Sequence, residues 1–382
     1  MFNQNWLTVK YLQLALHYMY MKKIYLLFIF NLLTFYSCTN KNNTFSNKDF
    51  FLTEKKLPLL QQVSFSKVSL PKEEYYDALF YVYHDSILIV NKTSQLDTYC
   101  IELVNLNNGN AIGKYLRRGN GPNEVLNLIV LNYQNRLNIT DIQKEQVIIF
   151  NIDSAICARN NYKPIIKKMN NFFFRHDILT DSSIIIYNPW HLSNCGNLAN
   201  EKIPELEIIN LNDLNYKIPK DALYTANEAD AFVVSNIKKN RLFLAYRKYP
   251  LFSFLDFDLD TIKIIKGPET IKRKNYKYKI IEGEICNKIR NTYSSFTYST
   301  DNYLFVCTNR ICGFYPKSIE EHKRIINNNK PELFKFDWDG NLIARYQMPK
   351  NFVNLSFSED SNTLYMTAKD ENDELCLYKA QL

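Results

Sequence analysis

The chain has 382 residues, 46% apolar and 23% charged, with 27 Tyr and 25 Phe beside only 9 Gly, a balance that excludes a disordered or collagen-like polymer. Its formal charge of +8 falls to +5 once Lys10, Lys22 and Lys23 leave with a leader, too weak and scattered for a nucleic-acid partner. Aromatic and β-branched residues run throughout, so strands are expected over helices.

The first element is an address. From Met21 the chain reads MKKIYLLFIFNLLTFYSC: two lysines, an apolar run over 24–35, then Ser37-Cys38. A run of about 12 residues is a secretory h-region and falls short of the roughly 20 that a spanning helix needs. The small residue before Cys38 reads as a lipobox. Residues 1–38 are therefore expected to be leader and signal peptide, with Met21 the true start and Cys38 the lipidated residue. Phe35 and Tyr36 depart from the usual lipobox, which leaves ordinary cleavage and an unanchored periplasmic protein as the alternative. Polar residues 39–60 are expected to be a flexible tether.

Strand-like runs then recur from residue 63 to the end, among them 78–83, 99–104, 136–140, 146–151, 241–246, 251–256, 332–337 and 363–367. The pattern restarts near residues 74, 127, 172, 229, 292 and 351, roughly one four-stranded propeller blade each time. The sequence thus predicts an all-β fold over 61–382, a six-bladed β-propeller with four-stranded blades. The last unit has only three strands, and VSFSKVSL at 63–70 stands unattached. Pairing the two would close the ring and cover two edges. Segments 188–204 and 316–330 read as insertions. With glycine scarce, the 46 Asn are expected to fill many positive-φ turn positions.

Two segments carry a family resemblance. Arg118-Gly119-Asn120-Gly121-Pro122-Asn123-Glu124 resembles the Arg-Gly-x-Gly-Pro-x-Glu stretch of the TolB-like six-bladed β-propeller lipoproteins of Bacteroidota. Leu333-Phe-Lys-Phe-Asp-Trp-Asp-Gly340, with the later LYMTAKDENDELCLYKAQL, resembles their final blades. The resemblance implies an outer-membrane lipoprotein acting as a binding or scaffold module of undefined ligand, with a protein or glycan partner. Surface-exported lipoproteins of that phylum often carry acids just after the lipidated Cys. Their absence here points to the periplasmic face.

Arg117, Arg118, Gly119, Asn120, Gly121 and Glu124 lie on a connection between blades, and they are the candidate ligand-binding residues. The glycines let backbone amides approach a ligand, and the charged groups bind a polar moiety. A structural turn with an internal Arg–Glu pair is the competing reading. The basic run from Lys263 to Lys279 reads as a solvated edge strand, and Asp256, Asp258 and Asp260 as a surface turn, since the Gly and Glu of a calcium loop are missing. His84, His176, His191 and His322 sit in no catalytic motif, and no spacing suggests a metal or another cofactor. Seven scattered cysteines after Cys38 make no disulfide framework, although Cys307 and Cys312 would approach across a hairpin. The alternative function is a propeller enzyme of lactonase, hydrolase or lyase type. Carboxylates or histidines converging at the channel mouth would favour it.

Overall fold

The structure, a computed structural model, describes residues 49–70, 75, 78–94, 96–133, 135–168, 176–180, 183–187, 206–210, 231–247, 250–267, 279–281, 284–286, 294–309, 320, 324 and 330–382. The expectations for the leader, Cys38, residues 39–48, segment 188–204 and most of 316–330 fall outside them. The chain divides into two units, residues 1–49 and 50–382, and the second carries the sheets.

The strands are β1 (Asp49–Phe51), β2 (Leu60–Gln62) and β3 (Ser66–Lys67), then β4–β7 (Ala78–Tyr83, Ile87–Lys92, Tyr99–Asn105, Ala111–Arg117) and β8–β11 (Leu128–Tyr133, Arg136–Asp141, Gln146–Asn151, Ile165–Lys168). The helix α1 (Ile152–Ala158) separates β10 from β11. After these come β12–β14 (His176–Thr180, Ser183–Tyr187, Leu206–Asn210) and β15–β18 (Ala231–Asn236, Arg241–Tyr246, Leu251–Leu255, Thr261–Lys266). A hairpin β19–β20 (Lys279–Ile281, Glu284–Cys286) precedes β21–β24 (Ser294–Ser299, Tyr303–Thr308, Glu332–Asp337, Leu342–Gln347) and β25–β27 (Phe352–Ser358, Thr363–Lys369, Leu375–Gln381).

Each consecutive group forms an antiparallel meander whose first strand lies innermost, and the fold is an all-β propeller. Five sheets have four or five strands. The described residues therefore hold five sheets of blade size where six were expected, and β12–β13–β14 has three described strands. Strand β15 is buried along its whole length and β16 and β26 at all but one end residue, instead of alternating in and out. Packing on both faces explains this, because each sheet is sandwiched between neighbours.

The N-terminal strand lies where the sequence placed it. Lys67 pairs with Tyr378 and Ser66 with Lys379, which adds β3 antiparallel to β27 at the outer edge of the last sheet. Residues 49–60 correct the expectation of a tether. There β1 adds outside β18, and β2 pairs in parallel with β24, Leu60 opposite Arg345. The N-terminal segment therefore covers the outer edges of three successive sheets. With β1 outside it, β18 is no edge strand either: Lys263 Nζ donates to the Gly340 carbonyl at 2.7 Å and to Asn341 Oδ1 at 3.1 Å. The rest of the basic run, from Lys272 to Lys277, falls outside the described residues.

Five apolar clusters fill seams between neighbouring sheets. The largest aromatic one joins Phe243, Phe252 and Phe254 of the fourth sheet to Phe334, Phe336 and Trp338 of the fifth. The seam between the second and third sheets is different, for polar pairs cross it. Asn138 donates to Asp177, Thr140 meets His176 at 3.4 Å, and Arg136 donates to the Leu179 carbonyl at 3.3 Å. Asp177 is 2% exposed and also accepts from Ser235 N at 2.6 Å, Ser235 Oγ at 2.5 Å and Ile178 N at 2.8 Å. Burial pushes its carboxyl above the usual range against the pull of these donors.

An inner strand has an unpaired edge facing the channel, and its amides need partners. Neighbouring sheets supply them. Val82 N donates to Ser356 Oγ at 2.9 Å, Phe80 N to Thr367 Oγ1 at 3.0 Å, and Ser235 N to Asp177 as above. Of the nine described non-glycine residues with positive φ, Asn240 and Asn362 are the only asparagines. His84, Asp85, Leu116 and others take the rest, so asparagine fills fewer such positions than expected.

Candidate functional site

The Arg117–Glu124 connection is tightly built from within. Val125 N donates to the Arg117 carbonyl and Gly119 N to the Val125 carbonyl, both at 2.9 Å, which pinches the loop at its neck. Glu124 folds back over the two glycines, and its Oε2 accepts from Gly121 N at 2.8 Å. A Cβ on Gly119, whose φ is +155°, would lie 2.2 Å from that oxygen, and one on Gly121 2.9 Å from it. The glycines are thus there to admit a carboxylate of the protein itself. Arg118 turns inward to the Leu126 and Lys92 carbonyls at 2.8 and 3.3 Å, while exposed Arg117 meets Glu124 at 3.5 Å. Lys144 completes the brace with bonds to the Gly121 and Glu124 carbonyls. Of the six candidates, only Asn120 and Arg117 are exposed.

A cavity of about 420 Å³ opens at the opposite end of the inner strands. The loop enters β8 at Leu128, whereas the cavity lies past its other end at Asn135, six strand residues and about 17 Å away. Hairpin turns that follow the inner strands build its wall. The first sheet contributes Tyr83 and His84, the second Asn135, the fourth Lys238, the fifth Thr300 and Asp301, and the sixth Ser358, Glu359 and Asp360. Asp153 enters from α1, where Asn151 caps the helix by accepting from Ser154 N and an acid in the first turn suits the helix dipole.

Each carboxylate bridges a seam at this mouth. Asp153 accepts from Tyr83 Oη at 2.7 Å and Asn135 Nδ2 at 3.1 Å, joining the first and second sheets. Asp301 pairs with Lys238 at 2.5 Å between the fourth and fifth. Glu359 accepts from Thr300 Oγ1, from Asn302 N at 2.9 Å and from Asn302 Nδ2 at 2.7 Å between the fifth and sixth. Asp360 faces His84 Nδ1 at 3.0 Å across the closing seam, where Asp85 also accepts from Ser358, Ser361 and Tyr365 at 2.7, 2.8 and 2.9 Å. Burial, reinforced by the Asp153 bond, holds the Tyr83 phenol well above its ordinary range, so both tyrosines of the wall, Tyr83 and buried Tyr298, stay protonated. Trp338, 1% exposed, supports the wall from behind by donating from Nε1 to the Thr300 carbonyl at 3.0 Å.

Sequence reasoning named His84 only among four histidines in no catalytic motif and missed this wall. A signal existed: aligning the six restarts puts an acid in the first turn of several units, at Asp85, Asp301 and Asp360. The Asp256 carboxylate caps its own turn by accepting from Asp258 N and Asp260 N, as expected of a surface turn. No cluster of three or more metal-ligating side chains occurs among the described residues. Cys307 is buried in β22, and Cys312 falls outside the described residues.

No family profile matches the chain, and no curated protein does. Solved structures do. A member of the DUF4221 family from Bacteroides vulgatus ATCC 8482 superposes with a TM-score of 0.50 at 10% identity, over 85% of this chain and 97% of its own. A protein of Bacteroides fragilis NCTC 9343 described as exported gives 0.48 at 11% identity, over 87% and 98%. The virginiamycin B lyase of Staphylococcus aureus gives 0.41 at 10%, over 84% and 100%. At these identities the likeness is one of fold.

Proposed function

We propose that this protein is a TolB-like cell-envelope lipoprotein, anchored through Cys38 at the periplasmic face of the outer membrane, whose six-bladed propeller binds a ligand or partner. The three-stranded sheet is its third blade. The observation that carries the binding reading is the cavity where turns of five sheets converge, because a concave, partly apolar site with a few directed polar groups is what ligand recognition uses. The Arg117–Glu124 loop, with Arg118 on backbone carbonyls and Glu124 on its own glycine and Arg117, is assigned to holding the first and second blades in place.

Two measurements test this. Cys38→Ala is expected to shift the protein from the membrane to the soluble fraction, and retention on the membrane would remove the anchor. For the cavity, the protein is equilibrated with the small-molecule fraction of a cell extract, recovered, denatured and read by mass spectrometry. Enrichment of a solute by the wild type, lost in the Lys238→Trp/Asp360→Trp double variant that crowds the mouth at two exposed positions, is the expected result. Equal enrichment by both proteins, or none by either, overturns the reading.

The His84–Asp360 pair favours a second reading, a hydrolase or lyase acting at the same mouth with His84 as the base. Recovery of a converted solute would select it. Recovery of the intact solute selects binding, which accords with carboxylates already engaged in bridging seams.

A further inference from the structure

We infer that the cavity takes an organic cation, an alkylammonium or guanidinium group. The inference rests on the cavity being the binding site and adds the class of ligand. The wall carries four carboxylates, Asp153, Asp301, Glu359 and Asp360, against a single lysine and His84, which faces Asp360. Only Asp301 has that lysine as a counter-ion. Asp153 and Glu359 receive bonds from neutral groups alone, a phenol, a hydroxyl, a backbone amide and two side-chain amides. Neutral donors hold a carboxylate in place without cancelling its charge, and Lys238 and Lys335 act on Glu359 only through space, so the acids still outweigh the cations at a mouth whose low-dielectric walls concentrate the potential. They do so in a chain whose charge without the leader is +5, where an unspecialised surface would be positive.

The apolar part of the lining fits the same class. Tyr298 and Phe357 line the wall from the core between the fifth and sixth sheets, and Tyr83, half-buried at the mouth, is the aromatic side chain placed to attract a cation through its ring and pack against its carbon skeleton. The fold already uses this chemistry behind the wall. Buried Lys335 sits 4.8 Å from the Phe357 ring centroid and 4.0 Å from that of Tyr303, and burial depresses its pKa. A volume of about 420 Å³ is near the low end for small-molecule clefts, enough for a diamine or for one basic side chain of a peptide.

The test is calorimetric titration of the full-length protein in detergent with 1,5-diaminopentane, with the tripeptide Gly-Arg-Gly, and with succinate as an anion of similar size. Saturable binding of the diamine or the tripeptide, weakened severalfold by raised salt and about tenfold by Glu359→Gln, is expected. The relative affinity of the two cations tells a free amine from a peptide side chain. Because Glu359 bridges its seam through three bonds, Asp360→Asn, whose pair with His84 is exposed and contributes little to stability, is titrated in parallel and should weaken the cations while leaving the melting temperature nearly unchanged. Binding of succinate in preference to both cations overturns the inference. So does cation binding indifferent to both substitutions. An anionic or neutral solute enriched from extract and lost on crowding the mouth would overturn the ligand class while leaving the cavity as the site.

Discussion

Trp338→Ala is expected to lower the unfolding free energy by roughly 3–5 kcal/mol, the scale of deleting a fully buried large aromatic side chain. The indole is 1% exposed among Phe243, Phe254, Phe334 and Phe336, so its removal leaves a void that rigid rings from two sheets cannot fill. It also removes the donor to the Thr300 carbonyl behind the cavity wall. Trp338→Phe separates the two losses, since it keeps most of the packing and forfeits only the hydrogen bond, about 1 kcal/mol. Urea unfolding of both variants measures this. A loss below about 1 kcal/mol for the alanine variant would mean that the seam repacks freely, against the close packing expected of protein interiors.

The second large effect is expected at Asp177→Ala. Four donors from three sheets converge on this carboxylate, and truncation leaves them buried without an acceptor at a total cost of roughly 3–5 kcal/mol. Its pKa adds a signature. Because burial raises the folded carboxyl above its unfolded value, the folded state holds the proton more tightly. The protonated form therefore contributes stability at low pH, and that contribution declines as pH rises from about 3.9 through the folded value. Asp177→Asn, which cannot ionise, should lose that slope while remaining destabilised, having one acceptor oxygen where two are used. A wild-type and an Asn variant with parallel stability–pH curves would show that Asp177 does not titrate as described.

The architecture was legible in the sequence because its signal is periodic. Restarts at 127, 229, 292 and 351 fall within two residues of the starts of β8, β15, β21 and β25, and each rests on many residues at once. Strands β1 and β2 escaped because they are three residues long, too short for an alternation of side chains to be read. The cavity escaped for a related reason. Its wall takes one to three residues from each turn, some 50 positions apart, so no window of sequence contains it. The Gly-Asn-Gly-Pro loop stood out instead, because glycine and proline advertise a constrained backbone. They do not say what imposes the constraint, and here it is Glu124.

The clasp between β3 and β27 has a bearing on how this protein comes to exist. Lys67 and Asp370, bonded at 3.2 Å, are 303 residues apart, and Ser66 reaches the Lys379 carbonyl across 313. Such a contact can form only after nearly the whole polypeptide has emerged, and contacts so distant in sequence make folding slow. Until then the earliest strands to be made have nothing to pair with, and their bare edges invite association with other chains. Biogenesis is thus timed by the carboxyl terminus. A chain stalled before residue 375 would lack the edge onto which its own beginning must dock, so holding the nascent amino-terminal segment apart from its neighbours becomes a requirement of synthesis rather than of the finished structure.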